Sequence, residues 1–235
     1  MKFTFKQFLV PNFAKRLVFM LPAVILMGVF VSILVEIGWG TDPASFMNLN
    51  IATLLGWGLG NTEVLVYGLM LVFTLIFGVQ MIGFGTLANM ILIGYVVDLC
   101  RWIWKNIGFA SFIAQSNTPV RILIFAITLL FFVFVAAIYI NAQMGVAPYD
   151  AMPQIISGWI PKIPFFIIRI AFDLTAVLIG VIAGKINSEG IQGSAIGSIV
   201  MSLLLGPVIS LVGKPLKKIL DVPEAEQPLE DPQNS

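Results

Sequence analysis

Two short stretches of the chain share one pattern: residues 40–47 read GTDPASFM, and residues 145–152 read GVAPYDAM. Each places a glycine three residues before a proline, and the shift of 105 residues between them also aligns Arg16 with Arg121. Further along the chain the shift becomes 112 residues, and Gly85-Thr86 then aligns with Gly197-Ser198. Two blocks in the same order predict an internal duplication of the chain.

Each of these stretches is predicted to open a short helix. Proline is favoured at the first helical position because its missing N–H would be unpaired there, so Pro43 and Pro148 predict helix starts. The segments that follow, residues 43–57 and 148–159, would span about 22 and about 18 Å. A hydrocarbon core is about 30 Å thick. The two segments are therefore predicted to be half-helices.

The composition places these helices in a membrane. Of the 235 residues, 59% are hydrophobic and 11% are charged, and the mean hydropathy is +0.99. These values are typical of an integral membrane protein. Five long apolar segments can cross the bilayer, and the second is long enough to cross twice because the GFG sequence at residues 83–85 breaks it. They are residues 17–35, 64–97, 122–149, 163–183 and 190–213.

The predicted fold is an all-α membrane protein with two tandem repeats and about eight membrane-embedded helices, six of them full spans and two of them half-helices. The chain divides into a basic cytoplasmic N-terminal tail, a first membrane repeat, a connecting loop, a second membrane repeat and a C-terminal tail. The C-terminal tail is basic, then acidic and predicted to be disordered. The segments are residues 1–16, 17–105, 106–120, 121–213 and 214–235.

The sequence leaves open whether the half-helices cross the membrane. If they cross, 11 of the 13 basic residues are cytoplasmic and the repeats are parallel. If they are re-entrant, six spans remain, the repeats are inverted, and the basic residues divide 8 to 4. The bias of basic residues toward the cytoplasm favours eight crossings. Both alternatives place both termini in the cytoplasm.

The half-helix starts are the first candidate site. Free N–H groups and the positive end of the helix dipole suit an anionic group. Asp42 is placed to cap its own helix and Asp150 lies in the first turn of the other, so both acids can instead serve only to stabilise helix starts. The predicted solute-binding residues are Asp42, Pro43, Gly145, Pro148, Tyr149, Asp150 and Arg169.

Arg169 and Asp173 lie four residues apart inside a predicted span and therefore face the same side of a helix. Each ionisable group in a span costs about 2.5–3.5 kcal/mol on insertion scales, so a pair is expected there. The pair is either structural or functional. In the functional reading Arg169 binds the solute, and Asp173 or Asp98 is the coupling carboxylate.

Further polar side chains are candidates to line the space between the helices. Serine, threonine and glycine at helical spacing also serve close helix packing, which is the alternative. The candidates are Thr86, Asn89, Asn141 and Gln143.

Histidine is absent and cysteine occurs once, which excludes a Cys/His metal site and histidine as a general base. We therefore expect no enzyme, no cofactor and no metal. No basic patch is interleaved with stacking aromatic residues, so we expect no nucleic-acid partner. The expected partners are the lipid bilayer, a small-molecule solute, and either a second copy of the chain or another membrane protein.

The pattern Gly83-Phe84-Gly85-Thr86, followed by Gly94 and Asp98, resembles the YczE/YitT-type family of bacterial multi-pass membrane proteins, over about residues 16–213. The resemblance implies a location in the bacterial inner membrane and no settled activity. The second half departs from the pattern, because Ser210 stands where Asp98 stands in the first.

Two functions are compatible with the sequence. The first is a secondary transporter or permease for a small anionic or zwitterionic solute bound between the two repeats. The alternative is a non-transporting accessory protein that stabilises or regulates another membrane component. The repeated halves, the broken helix in each and the embedded charges favour transport.

Overall fold

The computed structural model describes residues 8 and 10–220. In this part of the chain all regular structure is helical, with nine α-helices and one 3₁₀ turn at Val79–Met81. The helices are α1 (Phe13–Ile37), α2 (Pro43–Leu55), α3 (Leu59–Phe77), α4 (Phe84–Asn106), α5 (Phe109–Gln115), α6 (Thr118–Asn141), α7 (Pro148–Trp159), α8 (Phe165–Ile186) and α9 (Ala195–Leu220).

Six of these helices are long and apolar enough to cross a membrane: α1, α3, α4, α6, α8 and α9. The prediction of a multi-pass, all-helical membrane protein is confirmed. The apolar run 64–97 is indeed two helices, because α3 ends at Phe77 and α4 begins directly after Gly83. Of the two short helices, α2 has 13 residues and α7 has 12.

Local sequence explains where the short helices begin and end. Asp42 precedes α2, and its Oδ1 accepts a hydrogen bond from the backbone N–H of Ser45 at 3.0 Å, which caps the helix. Pro43 and Pro148 occupy the first helical positions. Helix α2 ends at Leu55, and the next residue, Gly56, has a φ of +66°, the left-handed conformation that glycine adopts readily.

Helices α1 and α6 pack against each other in opposite directions. Arg16, near the start of α1, donates from Nη1 to the carbonyl oxygen of Ala142, just after α6, at 3.0 Å. Arg121, near the start of α6, donates from Nη2 to the carbonyl oxygen of Ile37, the last residue of α1, at 2.6 Å. The two contacts are reciprocal, since each arginine donates a hydrogen bond to a carbonyl oxygen at the C-terminal end of the other helix.

The remaining helices pack around this pair in matching ways. Helix α4 packs on α1, and α9 packs on α6. The short helix α2 packs on α8, and the short helix α7 packs on α3. Each short helix therefore lies against a long helix of the opposite half of the chain.

The segments that precede the short helices also pack against the opposite half of the chain. Gly40 and Gly145 both have a positive φ, of +120° and +106°, and each packs backbone to backbone against the opposite half. A Cβ on Gly40 would lie 2.7 Å from the carbonyl carbon of Gly197, and one on Gly145 would lie 2.5 Å from the nitrogen of Gly83. Both positions therefore require glycine.

Three segments differ from the sequence-based description. Residues 106–120, predicted as a connecting loop, contain helix α5. Arg16, predicted as part of the basic tail, lies inside α1 and is fully buried. The predicted span 122–149 is helical only to Asn141 before α7 begins. The tail predicted to be disordered from Asp221 onward lies outside the described residues.

Candidate functional site

The start of α7 and the first turns of α8 form a cluster of charged side chains. Arg169, on α8, contacts two carboxylates: its Nη1 lies 2.6 Å from Oδ1 of Asp150, and its Nε lies 3.1 Å from Oδ2 of Asp173. The spacing of four residues between Arg169 and Asp173 brings the pair together on one face of α8, as the sequence indicated. Asp150 is a second partner that the spacing did not predict.

Tyr149 completes the cluster on its buried side. Its hydroxyl donates to Oδ1 of Asp173 at 2.8 Å, and the guanidinium carbon of Arg169 lies 5.6 Å from the centre of its ring, in the range of a cation–π interaction. Both oxygens of Asp173 therefore have a donor. This network holds Asp173, whose side chain is only 4% exposed, as a paired carboxylate.

Asp42 lies close enough to Asp150 and Arg169 to interact with them electrostatically. Three of the predicted solute-binding residues, Tyr149, Asp150 and Arg169, are therefore in contact, and Asp42 at the start of α2 lies within electrostatic range of them. Pro43 and Pro148 are buried beside this cluster as the first residues of their helices. Gly145 packs closely against Gly83 and Thr86, which indicates a packing role.

The cluster is acidic and partly open. Three carboxylates, those of Asp42, Asp150 and Asp173, accompany the single guanidinium of Arg169. The side chains of Arg169 and Asp150 are 33% and 35% exposed, whereas that of Asp173 is buried. The Arg169–Asp150 side of the cluster is therefore its more accessible side.

Several other predicted site residues lie outside this cluster and make structural hydrogen bonds. Asp98 accepts hydrogen bonds from the backbone N–H groups of Leu59 at 2.9 Å and Gly60 at 2.8 Å, which caps the start of α3. Thr86 accepts from the N–H of Gly83 at 3.0 Å.

The two candidates at the end of the α6 region also make structural contacts. Asn141 donates to the carbonyl oxygens of Ala137 at 2.9 Å and Gly213 at 3.1 Å, which ties α6 to α9. Gln143 accepts from Arg16 at 3.4 Å. Asn89 is buried within α4.

Three buried polar residues near the cluster were missed by the sequence analysis: Asn48 on α2, and Glu63 and Tyr67 on α3. The ring centre of Tyr67 lies 6.3 Å from that of Tyr149. The uncharged run 64–97 begins directly after Glu63, so in the sequence this residue lies at the flank of a predicted span. The proline-initiated pattern around Asn48 gave no signal for a buried amide.

No group of three or more histidine, cysteine, aspartate or glutamate side chains within the described residues could hold a metal ion. The polar groups of the cluster instead pair with one another. Guanidinium and carboxylate groups of this kind can form ion pairs and charge-assisted hydrogen bonds with other charged groups.

The six apolar helices and the charged cluster between them define a multi-pass membrane protein with ionisable groups inside its helical body. The chain belongs to a family of unknown function, DUF6198, whose family model matches residues 14–214. Neither the curated proteins nor the solved structures contain a match to this chain. The resemblance to the YczE/YitT-type proteins stays a prediction.

Proposed function

We propose that the chain is a secondary transporter for a small zwitterionic solute, bound at the cluster of Asp42, Asp150 and Arg169. The observation that carries the proposal is the position of this cluster. It joins the starts of the two short helices to α8, and its Arg169–Asp150 side is partly exposed. Broken helices with charged groups at their starts are a recurrent way to build a solute site inside a membrane.

The acidic character of the cluster favours one of the two solute classes considered from the sequence. Arg169 is already shared between Asp150 and Asp173, so a purely anionic solute would have to compete with two carboxylates. A zwitterion brings its own positive group for Asp150 and a negative group for Arg169. The proposed solute therefore carries an ammonium group and an acidic group.

We propose further that the two halves are inverted repeats with six crossings and both termini in the cytoplasm of a bacterium. The reciprocal contacts of Arg16 with Ala142 and of Arg121 with Ile37 support this arrangement, since both partners are related by the same shift of 105 residues. Eight crossings would make α1 and α6 run in the same direction. Their opposite directions support re-entrant short helices.

Thiol labelling of intact cells tests this topology. In a Cys100→Ala background, Gln115→Cys on α5 is expected to react with an impermeant reagent added from outside, because six crossings place this exposed residue there. Two matched controls have the same location in both topologies: Ser188→Cys should label from outside and Lys162→Cys should not. Protection of Gln115→Cys in intact cells, with labelling after lysis, would contradict the inverted arrangement.

Competition between solute classes tests the proposed specificity. Purified chain in proteoliposomes is expected to take up a labelled amino acid or betaine, and unlabelled zwitterions should reduce this uptake about 10-fold more strongly than simple carboxylates or phosphates, a difference of about 1.4 kcal/mol in binding. Stronger competition by simple anions would contradict the proposed role of Asp150. Purification with a stoichiometric second protein and no uptake would favour the accessory function.

A further inference from the structure

Helix α3 buries a carboxylate that the solute site does not use. Glu63 is 1% exposed, and its Oε2 has no hydrogen-bond partner among the described residues. Asn48 on α2 is fully buried beside it, and no group in the described part of the chain lies in hydrogen-bond geometry with Nδ2 or Oδ1 of Asn48. Two helices therefore place unsatisfied polar groups next to each other in the interior.

The surroundings of Glu63 are unsuited to a negative charge. The charged groups that act on it are the carboxylates of Asp42, at the start of α2, and Asp98, on α4, and both repel a further negative charge. Tyr67, one turn further along α3, is uncharged at neutral pH. A buried charge without a partner is costly enough that such a group is usually neutralised instead. A bound cation or a proton at the Glu63 carboxyl group would remove this cost.

The space around Glu63 is shaped for the carboxyl group itself. Gly94 on α4 faces Oε2, and a Cβ at that position would lie 2.7 Å from this oxygen. The side chains of Glu63 and Asn48 offer three oxygens, whereas Ca²⁺ takes about 6–8 oxygen ligands and Mg²⁺ requires octahedral coordination. The backbone N–H of Gly94 and the amide of Asn48 lie near the carboxyl group, so the site also has hydrogen-bond donors within reach. A proton needs one oxygen and no coordination shell.

We propose that Glu63 is a proton-binding site, protonated in the resting protein, with Asn48 as the neighbouring group that exchanges hydrogen bonds with it. A path of contacts links this site to the solute cluster. Tyr67 lies four residues after Glu63 on α3, its ring packs against Tyr149, and Tyr149 binds Asp173. Coupling of the proton to solute movement rests on the proposed transport function, whereas proton binding itself does not.

Infrared spectroscopy of the purified full-length chain tests the protonation directly. At about pH 7 the wild type is expected to show the C=O band of a neutral carboxyl group, and Glu63→Gln should remove it. The matched control is Glu36→Gln, because Glu36 forms an ion pair with Arg101 at 2.8 Å, so its replacement should leave the band unchanged. A wild type without this band, or a band that persists in Glu63→Gln, would overturn the proposal.

A second measurement uses the wild type and so remains decisive if Glu63→Gln does not fold. In the unfolded chain Glu63 is already ionised above about pH 6, whereas in the folded chain its surroundings oppose ionisation. A rise in pH from about 6 to about 8.5 therefore destabilises the folded state, and Tm should fall by about 5 °C. Sodium should give the same Tm as choline. A Tm that does not fall with pH, or sodium-specific stabilisation, would contradict a proton site. If the infrared and Tm results are as expected but the protein takes up no solute, the transport function is contradicted and proton binding by Glu63 is not.

Discussion

Replacement of Gly197 by alanine is expected to destabilise the chain by about 3 kcal/mol or more, which would lower Tm by about 10 °C. A Cβ on Gly197 would meet the backbone carbonyl of Trp39 at less than van der Waals distance. This contact joins the start of α9 to the segment before α2. The position of the Cβ is fixed by the backbone of residue 197, and its partner is a backbone carbonyl group. No side-chain rotation can therefore relieve the clash.

The glycines of the chain provide a graded series for this test. Gly85→Ala, at the counterpart position, would place its Cβ 3.0 Å from the carbonyl oxygen of Met144 and should have an intermediate effect. Gly68→Ala, on α3, has open space around it and should be neutral or stabilising by about 1 kcal/mol. Thermal unfolding in detergent measures all three. Equal Tm values for the Gly197 and Gly68 variants would show that the two halves do not meet as described.

Replacement of Arg169 by glutamine is expected to cost about 3 kcal/mol, the lower end for a buried ion pair because Arg169 keeps a third of its side chain exposed. The change leaves Asp150 and Asp173 near each other without a positive charge. Asp173 is buried and cannot turn to solvent, so most of the cost arises there. The variant should accumulate in the membrane at a lower level than the wild type and unfold at a lower temperature.

The double variant Arg169→Leu/Asp173→Leu is the matched control. It removes the buried charge along with its partner, and the remaining Asp150 is partly exposed, so its membrane level should exceed that of Arg169→Gln. Asp150→Asn should change stability by less than about 1 kcal/mol. Equal membrane levels for the single and double variants would contradict an energetically important pair.

Much of the fold could be predicted from the sequence because membrane helices leave a strong apolar signal and proline marks helix starts. Pro43 and Pro148 begin α2 and α7 as expected. Crossing direction was harder to predict, since basic residues give a statistical bias only. Arg16 illustrates the difficulty: its place beside Lys15 predicts a position in the basic tail, but it lies buried against the end of α6.

The candidate site was predictable where spacing along one helix decides the contact. Arg169 and Asp173 met as their separation indicated, and Asp42 caps its own helix. Contacts between helices were not predictable, because they depend on how the two halves pack. Asp98 caps a different helix from its own, and Glu63 escaped notice because its burial arises only when α2 and α4 close over α3.

Solute movement through the cluster between the two halves is the central claim. Uptake of a labelled zwitterion by proteoliposomes that contain the wild type or Asp150→Asn tests it most directly. The wild type is expected to give saturable uptake, and the variant, equally stable, should take up at least about 10-fold less. Folded wild type that moves no zwitterion above protein-free liposomes, or equal uptake by the Asp150→Asn variant, would contradict the claim.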